Sequence, residues 1–154
     1  MLPTQFNIRV YALIFNTCND AVMVCDEFQL GMRMTKFPGG GLDFGEGTLD
    51  CLKREALEEF GQEITDLEHY YTTDYFQKAL FFENQQLISI YYKARFIDPP
   101  RFLISENTFD YGADENGKIS FRWMPLDSIE PNSFTFPIDQ KVGEMLISQL
   151  FRKD

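Results

Sequence analysis

The amino-acid sequence predicts an α+β domain, a mixed sheet or split barrel sandwiched between helices. Strand-like segments outnumber helical ones, the two helical segments lie far apart, and no repeat or linker divides the 154 residues. Residues 1–154 therefore read as a single domain. A chain of this length buries roughly 70% of the surface that its unfolded form exposes. With 44% apolar and 16% aromatic residues, it has enough material for a core without a disulfide or metal staple.

Phe6 to Phe15 is rich in β-branched and aromatic residues and predicts a central strand. Asn16 to Asp20 is a turn cluster, and Ala21 to Cys25 reads as the returning strand of a hairpin. Gln29 to Lys36 reads as an irregular link. Residues 38–47 hold five glycines and Pro38, a loop in which no regular element is expected. A helix follows from Thr48 to Phe60, where Leu49, Leu52, Ala56 and Phe60 recur at spacings of three and four. Thr48 can cap its start, Asp50 suits its first turn, and Gly61 suits a left-handed C-terminal residue.

Leu67 to Tyr75 reads as a strand. Gln86 to Phe96 is the clearest one, with Ile88, Ile90, Tyr92, Ala94 and Phe96 alternating against polar or larger neighbours. Asn107 to Lys118 is a loop, Lys118 to Met124 a short strand and Pro125 to Ile129 a helical turn. Pro137 to Phe151 is the final helix, with proline in its first turn.

The formal net charge of −10 and the lack of any basic run exclude a nucleic-acid polymer as partner, because such binding neutralises many phosphates. An acidic protein that handles an anionic substrate needs a local source of positive charge, and bound metal ions supply it. Cys18, Cys25 and Cys51 form no C-x-x-C pair and are odd in number, so they support neither a disulfide framework nor a zinc site. No run approaches ~18 apolar residues, and Met1 to Gln5 does not read as a signal peptide. A cytoplasmic protein without membrane contact is expected.

The glycine loop and the following helix form one chemical unit. Glu55, Glu58 and Glu59 stand at i, i+3 and i+4, so three carboxylates crowd one helix face. Such like-charge pairs destabilise a bare helix, and Arg54 offsets only part of the repulsion. Hard divalent cations resolve it: Mg²⁺ and Mn²⁺ favour carboxylate and carbonyl oxygens, and Mg²⁺ shares its shell with substrate phosphates. The loop lets backbone approach the same place, so the Gly40 carbonyl could add a ligand.

These residues resemble the Nudix box, G-x5-E-x7-R-E-U-x-E-E-x-G-U with U a bulky aliphatic residue. Gly40, Glu46, Arg54, Glu55, Glu58, Glu59 and Gly61 match every fixed position. At about 6–7% usage per residue, this coincidence arises on the order of once in a million chains of this length. Ala56 is small for its aliphatic position, and Gln62 replaces an aliphatic residue, with Ile64 expected to fill the gap. Phe37-Pro38-Gly39-Gly40-Gly41 and Phe121 to Leu126 also look like the family's flanking segments.

The resemblance implies a Nudix-type α/β/α sandwich around a mixed sheet. It implies Mg²⁺- or Mn²⁺-dependent hydrolysis of a pyrophosphate bond in a nucleoside diphosphate derivative. Glu58 and Glu59 would be the main metal ligands, Glu55 would assist, and the Gly40 carbonyl would join them. Glu46 would lie near the metals or brace the loop, and Arg54 would orient the glutamates through ion pairs. Some relatives draw a further acidic residue from a loop outside the box; Glu115 is the candidate here, with Glu106 second. Many relatives are dimers, so a homodimer is one expected assembly.

Outside the box, Arg33 and Lys36 stand where either could reach a phosphate or serve as surface charge. His69 is expected to be structural or exposed. Tyr75, Phe76, Phe81 and Phe82 could stack a base, although core packing is the expectation for most of them. Cys51 is expected to pack.

Nucleoside triphosphates, ADP-ribose, nucleotide sugars and dinucleoside polyphosphates all remain open as substrates, because loops outside the box set specificity. A non-catalytic nucleotide-sensing module of the same fold is the alternative, although such proteins commonly lose box glutamates. A prenyl-diphosphate isomerase would need a cysteine opposite a glutamate in an apolar pocket, an arrangement absent from the cysteine spacing.

Overall fold

Strand β1 (Gln5–Ile14) organises the chain in the computed structural model, which describes residues 1–152. Both of its edges are paired. It runs parallel to β6 (Gln85–Phe96), from Gln5↔Gln85 to Ile14↔Ala94, and antiparallel to β4 (Gly39–Gly41). Strand β5 (Ile64–Thr72) adds antiparallel to β6, giving the mixed order β4-β1-β6-β5. A second, antiparallel sheet centres on β2 (Ala21–Gln29), between β3 (Met32–Lys36) and β7 (Lys118–Pro125).

Three expectations are corrected here. The β1–β2 hairpin does not form, because β4 and β6 occupy both edges of β1. Only the isolated bridge Phe15↔Val22 joins the two strands, and β2 diverges into the second sheet. The link over 29–36 contains the regular strand β3, held by Cys25↔Lys36 through Gln29↔Met32. The first glycines of the loop form β4, with Tyr11↔Gly39, Val10↔Gly40 and Arg9↔Gly41 in register.

Two helices cover the sheets, α1 (Thr48–Phe60) and α2 (Pro137–Phe151), and strand alternation feeds one core under each. Val10, Ala12 and Ile14 of β1 join Met23 and Ala94 beneath α1, against Leu52, Ala56 and Phe60. Leu13 of β1 points the other way, joining Val22, Val24 and Tyr91 against Ile138, Val142 and Leu146 of α2. This is the expected α/β/α sandwich. Among the described residues no helix is long and apolar enough to cross a membrane.

Helix α1 has the expected bounds, but two details differ. Gly47, not Thr48, is the N-cap, and its N–H donates to the Asp50 carboxylate at 2.9 Å. Thr48 instead shares a 2.7 Å hydrogen bond with the Tyr92 hydroxyl. Leu49 is exposed and Cys51 is buried, so the stripe runs through Cys51, Leu52, Ala56 and Phe60. Gly61 ends the helix at φ 64°, the left-handed conformation expected there.

Gln62, the departure from the box pattern, is buried at 3% exposure. Its carboxamide accepts from the Arg101 N–H and donates to the Pro99 carbonyl at 3.3 Å, so it fastens the segment after β6. Ile64 is buried in the same core as Phe60, filling the apolar space as expected.

Strand β4 approaches β1 too closely for a side chain at Gly39. A Cβ on Gly39, at φ 149°, would stand 2.1 Å from the Val10 carbonyl oxygen. Gly39→Ala is therefore expected to cost at least about 2 kcal/mol, read as a lower urea midpoint. An unchanged midpoint would show that β4 shifts freely.

Candidate active site

The box residues converge on Arg54. Its Nε donates to Glu46 Oε2 at 3.0 Å and its Nη2 to Glu46 Oε1 at 2.7 Å, a two-pronged pair. Its Nη1 reaches Glu55 Oε1 at 2.9 Å and both oxygens of Glu58 at 3.3 Å. Its Nη2 also donates to the Gly41 carbonyl at 3.0 Å. One guanidinium thus ties the loop to two of the three clustered helix carboxylates. The hydrogen bonds to Arg54, with a further one from the Asp43 N–H, hold the Glu46 carboxyl down at about 2. The same Glu46 pair, then Glu55 and Glu58, raise the Arg54 guanidinium above its already high value.

Gly40 and Glu55 touch directly. A Cβ on Gly40 would lie 2.2 Å from Glu55 Oε1, so only glycine lets the carboxylate rest against this backbone. Glu59 turns inward beside Gly39. Burial pushes its carboxyl up to about 8, opposed by Lys36 and a Gly39 N–H and reinforced by Glu55 and Glu27. Its Oε2 is buried without a hydrogen-bond partner. Glu58 is the exposed member of the trio, its side chain 58% accessible.

Among the described residues no three His, Cys, Asp or Glu side chains form a ready-made metal cage. The reason is visible in the pairing: Arg54 claims Glu46, Glu55 and Glu58, while Glu59 packs inward. The donor set nonetheless fits a hard divalent cation. It offers carboxylate oxygens, an orphaned buried oxygen on Glu59, and a glycine backbone against which Glu55 rests.

A cavity of about 280 Å³ is lined by no box residue, but Lys36 and Arg9 in its wall place their charges within reach of Glu59 and Glu55. Arg9, Tyr11, Glu27, Lys36, Tyr91 and Asp139 supply its polar lining, and Leu87, Ala79, Phe81, Phe82 and Phe136 much of its apolar lining. Tyr11 and Tyr91 stack at 5.2 Å. The Tyr91 hydroxyl donates to Asp139 at 2.5 Å, and the Phe37 N–H also bonds this carboxyl, so Asp139 locks α2 to the segment entering the glycine strand. Burial lifts the Asp139 carboxyl to about 6, against the lowering effect of those two bonds.

Residues expected outside the box divide. Lys36 faces the site, paired with Glu27 at 3.0 Å and lining the cavity. Arg33 turns away, bound to Asp114 at 3.0 Å and over the Phe109 ring. Phe81 and Phe82 line the cavity, whereas Tyr75 and Phe76 do not; all four are exposed, which corrects the expectation of core packing. His69 is exposed and bonds Thr72, as expected. Cys51 is buried and its thiol donates to the Gly41 carbonyl.

Glu115 is exposed and lies beside the β2–β3 turn. Its carbonyl accepts from the Lys118 N–H, and neighbouring Asn116 holds the Gly31 N–H. Glu106 is likewise exposed. The ion pairs and hydrogen bonds of the box include neither. Sequence reasoning missed Arg9, Glu27 and Asp139. A lone charged residue in β1, between Ile8 and Val10, was the available signal for Arg9; Glu27 and Asp139 carry no local pattern.

The NUDIX domain family profile matches residues 5–143. The chain belongs to this family and is a Nudix hydrolase. Solved structures of the same fold include a MutT reported for Aliivibrio salmonicida and Vibrio cholerae, 18% identical with a TM-score of 0.65, covering 94% of this chain and 99% of that one. A NUDIX hydrolase from Nitrosomonas europaea is 18% identical with a TM-score of 0.66, over 96% and 90% of the two chains. The E. coli ORF135 protein is 16% identical with a TM-score of 0.67, over 97% and 94%. No curated protein matches the chain.

Glu46 and Arg54 yield a pH prediction. A carboxyl whose folded value lies below its unfolded one stabilises the fold above the unfolded value and loses that contribution as pH falls. The window for Glu46 runs from about 4.5 down to about 2. Carboxyl NMR titration is expected to give a Glu46 midpoint near the lower figure, moving up toward the ordinary carboxylate range in Arg54→Met. An unmoved midpoint in that variant would assign the shift to the loop backbone instead.

Proposed function

We propose that this Nudix hydrolase cleaves a pyrophosphate bond in a nucleoside diphosphate derivative and depends on Mg²⁺ or Mn²⁺. The observation that carries the reading is the buried, unpartnered Glu59 Oε2 next to the Gly39–Gly41 strand, on the same helix face as Glu55 and Glu58. A buried polar atom without a partner is costly, and its persistence beside a carboxylate cluster suits a ligand that completes it.

Glu55, Glu58 and Glu59 would hold the cation, with the Gly40 carbonyl joining and Glu46 bracing the loop through Arg54. When bound, such a cation neutralises phosphate oxygens and activates a water for attack on phosphorus. Glu58 is free to turn toward it, because its pair with Arg54 is exposed and correspondingly weak. Arg54 keeps Glu46 and Glu55 in place meanwhile. The cavity has the size and mixed lining of a small-molecule site and would hold the organic part of the substrate. Glu115 keeps the role of candidate base, with Glu106 second; both would have to approach from exposed loop positions. A cytoplasmic protein, active as a monomer or homodimer, completes the proposal.

The test is product formation from a panel of nucleoside triphosphates, ADP-ribose, nucleotide sugars and dinucleoside polyphosphates, with Mg²⁺ or Mn²⁺ and then with chelator. Metal-dependent turnover of one class is expected. Glu58→Gln and Glu59→Gln should each lower kcat by at least about 100-fold. Near-normal turnover in Glu59→Gln would remove that residue from the metal site. Stoichiometric nucleotide binding without products would instead favour a sensing module.

A further inference from the structure

We propose that Arg9 grips the substrate phosphate that stays attached to the cavity-bound organic group. This rests on the pyrophosphatase reading above and assigns an orientation within the same site. Arg9 lies in β1, in register with Gly41 on one side and Ser89 on the other. Its guanidinium offers five N–H donors in a fixed fork. The Nε donor goes to the Tyr11 hydroxyl at 3.2 Å. Among the described residues no carboxylate lies within ion-pair distance of it, although Arg33, Arg54, Arg101 and Arg122 are each paired.

In this chain of net charge −10, Arg95 is the other half-buried arginine without a carboxylate partner, but its guanidinium donates to the Asn16 carbonyl and the Asn19 side chain, whereas the Nη groups of Arg9 meet no acceptor among the described residues. Taking a cation out of water is unfavourable unless an anion meets it, so the free prongs fit an anion that arrives with the substrate. Guanidinium geometry matches phosphate with two parallel hydrogen bonds, which a lysine cannot reproduce.

Position selects which phosphate. Arg9 lines the cavity and also the open shelf formed with Phe6, Phe44 and Asp43. Its Nη1 would lie 3.4 Å from a Cβ built on Gly41, one residue from the Gly40 backbone on which Glu55 rests. A molecule seated in the cavity and reaching toward the box glutamates therefore passes Arg9 first. The organic group sits in the cavity, its own phosphate on Arg9, and the bond to be cleaved lies beyond, over the glutamates. The retained product is then a monophosphate of the cavity-bound group.

The test measures binding without turnover. AMP, GMP, CMP and UMP are titrated against their nucleosides into metal-free protein with chelator present. Wild type is expected to bind at least one monophosphate about tenfold or more tighter than its nucleoside. Arg9→Met should reduce that preference to within about twofold while leaving nucleoside affinity unchanged, which a purely structural role would not do. Arg9→Lys keeps the charge but loses the fork, and should fall between the two; it carries the test if Arg9→Met fails to fold. A preference that survives both substitutions, or no preference in wild type, overturns the assignment. Turnover by the metal-loaded wild type is measured separately. Its absence alongside an Arg9-dependent preference would overturn the pyrophosphatase reading and leave the nucleotide site standing.

Discussion

Strand β4 runs so close to its neighbours that side chains are shut out on both sides. Gly39 presses against the Val10 carbonyl, and Gly40 carries the Glu55 carboxylate directly on its backbone. Close approach by bare backbone is the particular use of glycine, and here it fixes three things together. It registers the loop on β1, it sets α1 at the distance from which Glu55 and Glu59 reach that backbone, and it brings Arg9 alongside through the pairing with Gly41. The cavity, the carboxylate cluster and the free guanidinium meet because β4 lies between them.

Electrostatics then decide how each acidic residue of the box is held. Arg54 gathers Glu46, Glu55 and Glu58 and relieves the like-charge repulsion of a bare acidic helix. Its bond with Glu46 is the firmest, through two short contacts, and it serves the loop more than the chemistry. The pair with Glu58 is exposed and loosely held. Glu59 is left apart from Arg54, half-buried and with its Oε2 lacking a partner, and its proton is favoured by burial. A single arginine therefore holds three glutamates with different firmness and leaves Glu59 outside its ion pairs. Lys36 and Glu27 form a separate pair at the cavity wall, so the positive charge near Glu59 is itself balanced.

The α/β/α layering follows from ordinary strand alternation. Successive residues of β1 feed opposite cores, and Met23 of β2 points to α1 while Val22 and Val24 point to α2. Asp139 spans the layers differently, as a buried carboxyl that joins α2 to β6 through Tyr91 and to the segment entering β4 through Phe37. Movement of α2 would thus be felt at the glycine strand through hydrogen bonds.

The sequence by itself determined most of what depends on spacing along one element, Leu49 and the N-cap of α1 excepted. Glu55, Glu58 and Glu59 share a face because helix geometry places i, i+3 and i+4 together, and Arg54 reaches Glu58 by the same rule. Alternation revealed β6, the apolar spacing revealed α1, and Gly61 marked where that helix ends. Tertiary structure alone decided what long-range pairing controls. Strand β2 could not return onto β1 once β4 and β6 had filled both edges, and three glycines became a strand because β1 offered a partner. Gln62, which stands where the box pattern has an aliphatic residue, found backbone partners in the segment after β6. Tyr75, Phe76, Phe81 and Phe82 read as core material by composition, yet lie exposed, two of them around the cavity. Arg9, Glu27, Lys36 and Asp139 converge on that cavity from four separate elements. Periodicity within one element carries no information about that convergence, because it is set by which backbone edges remain free to pair.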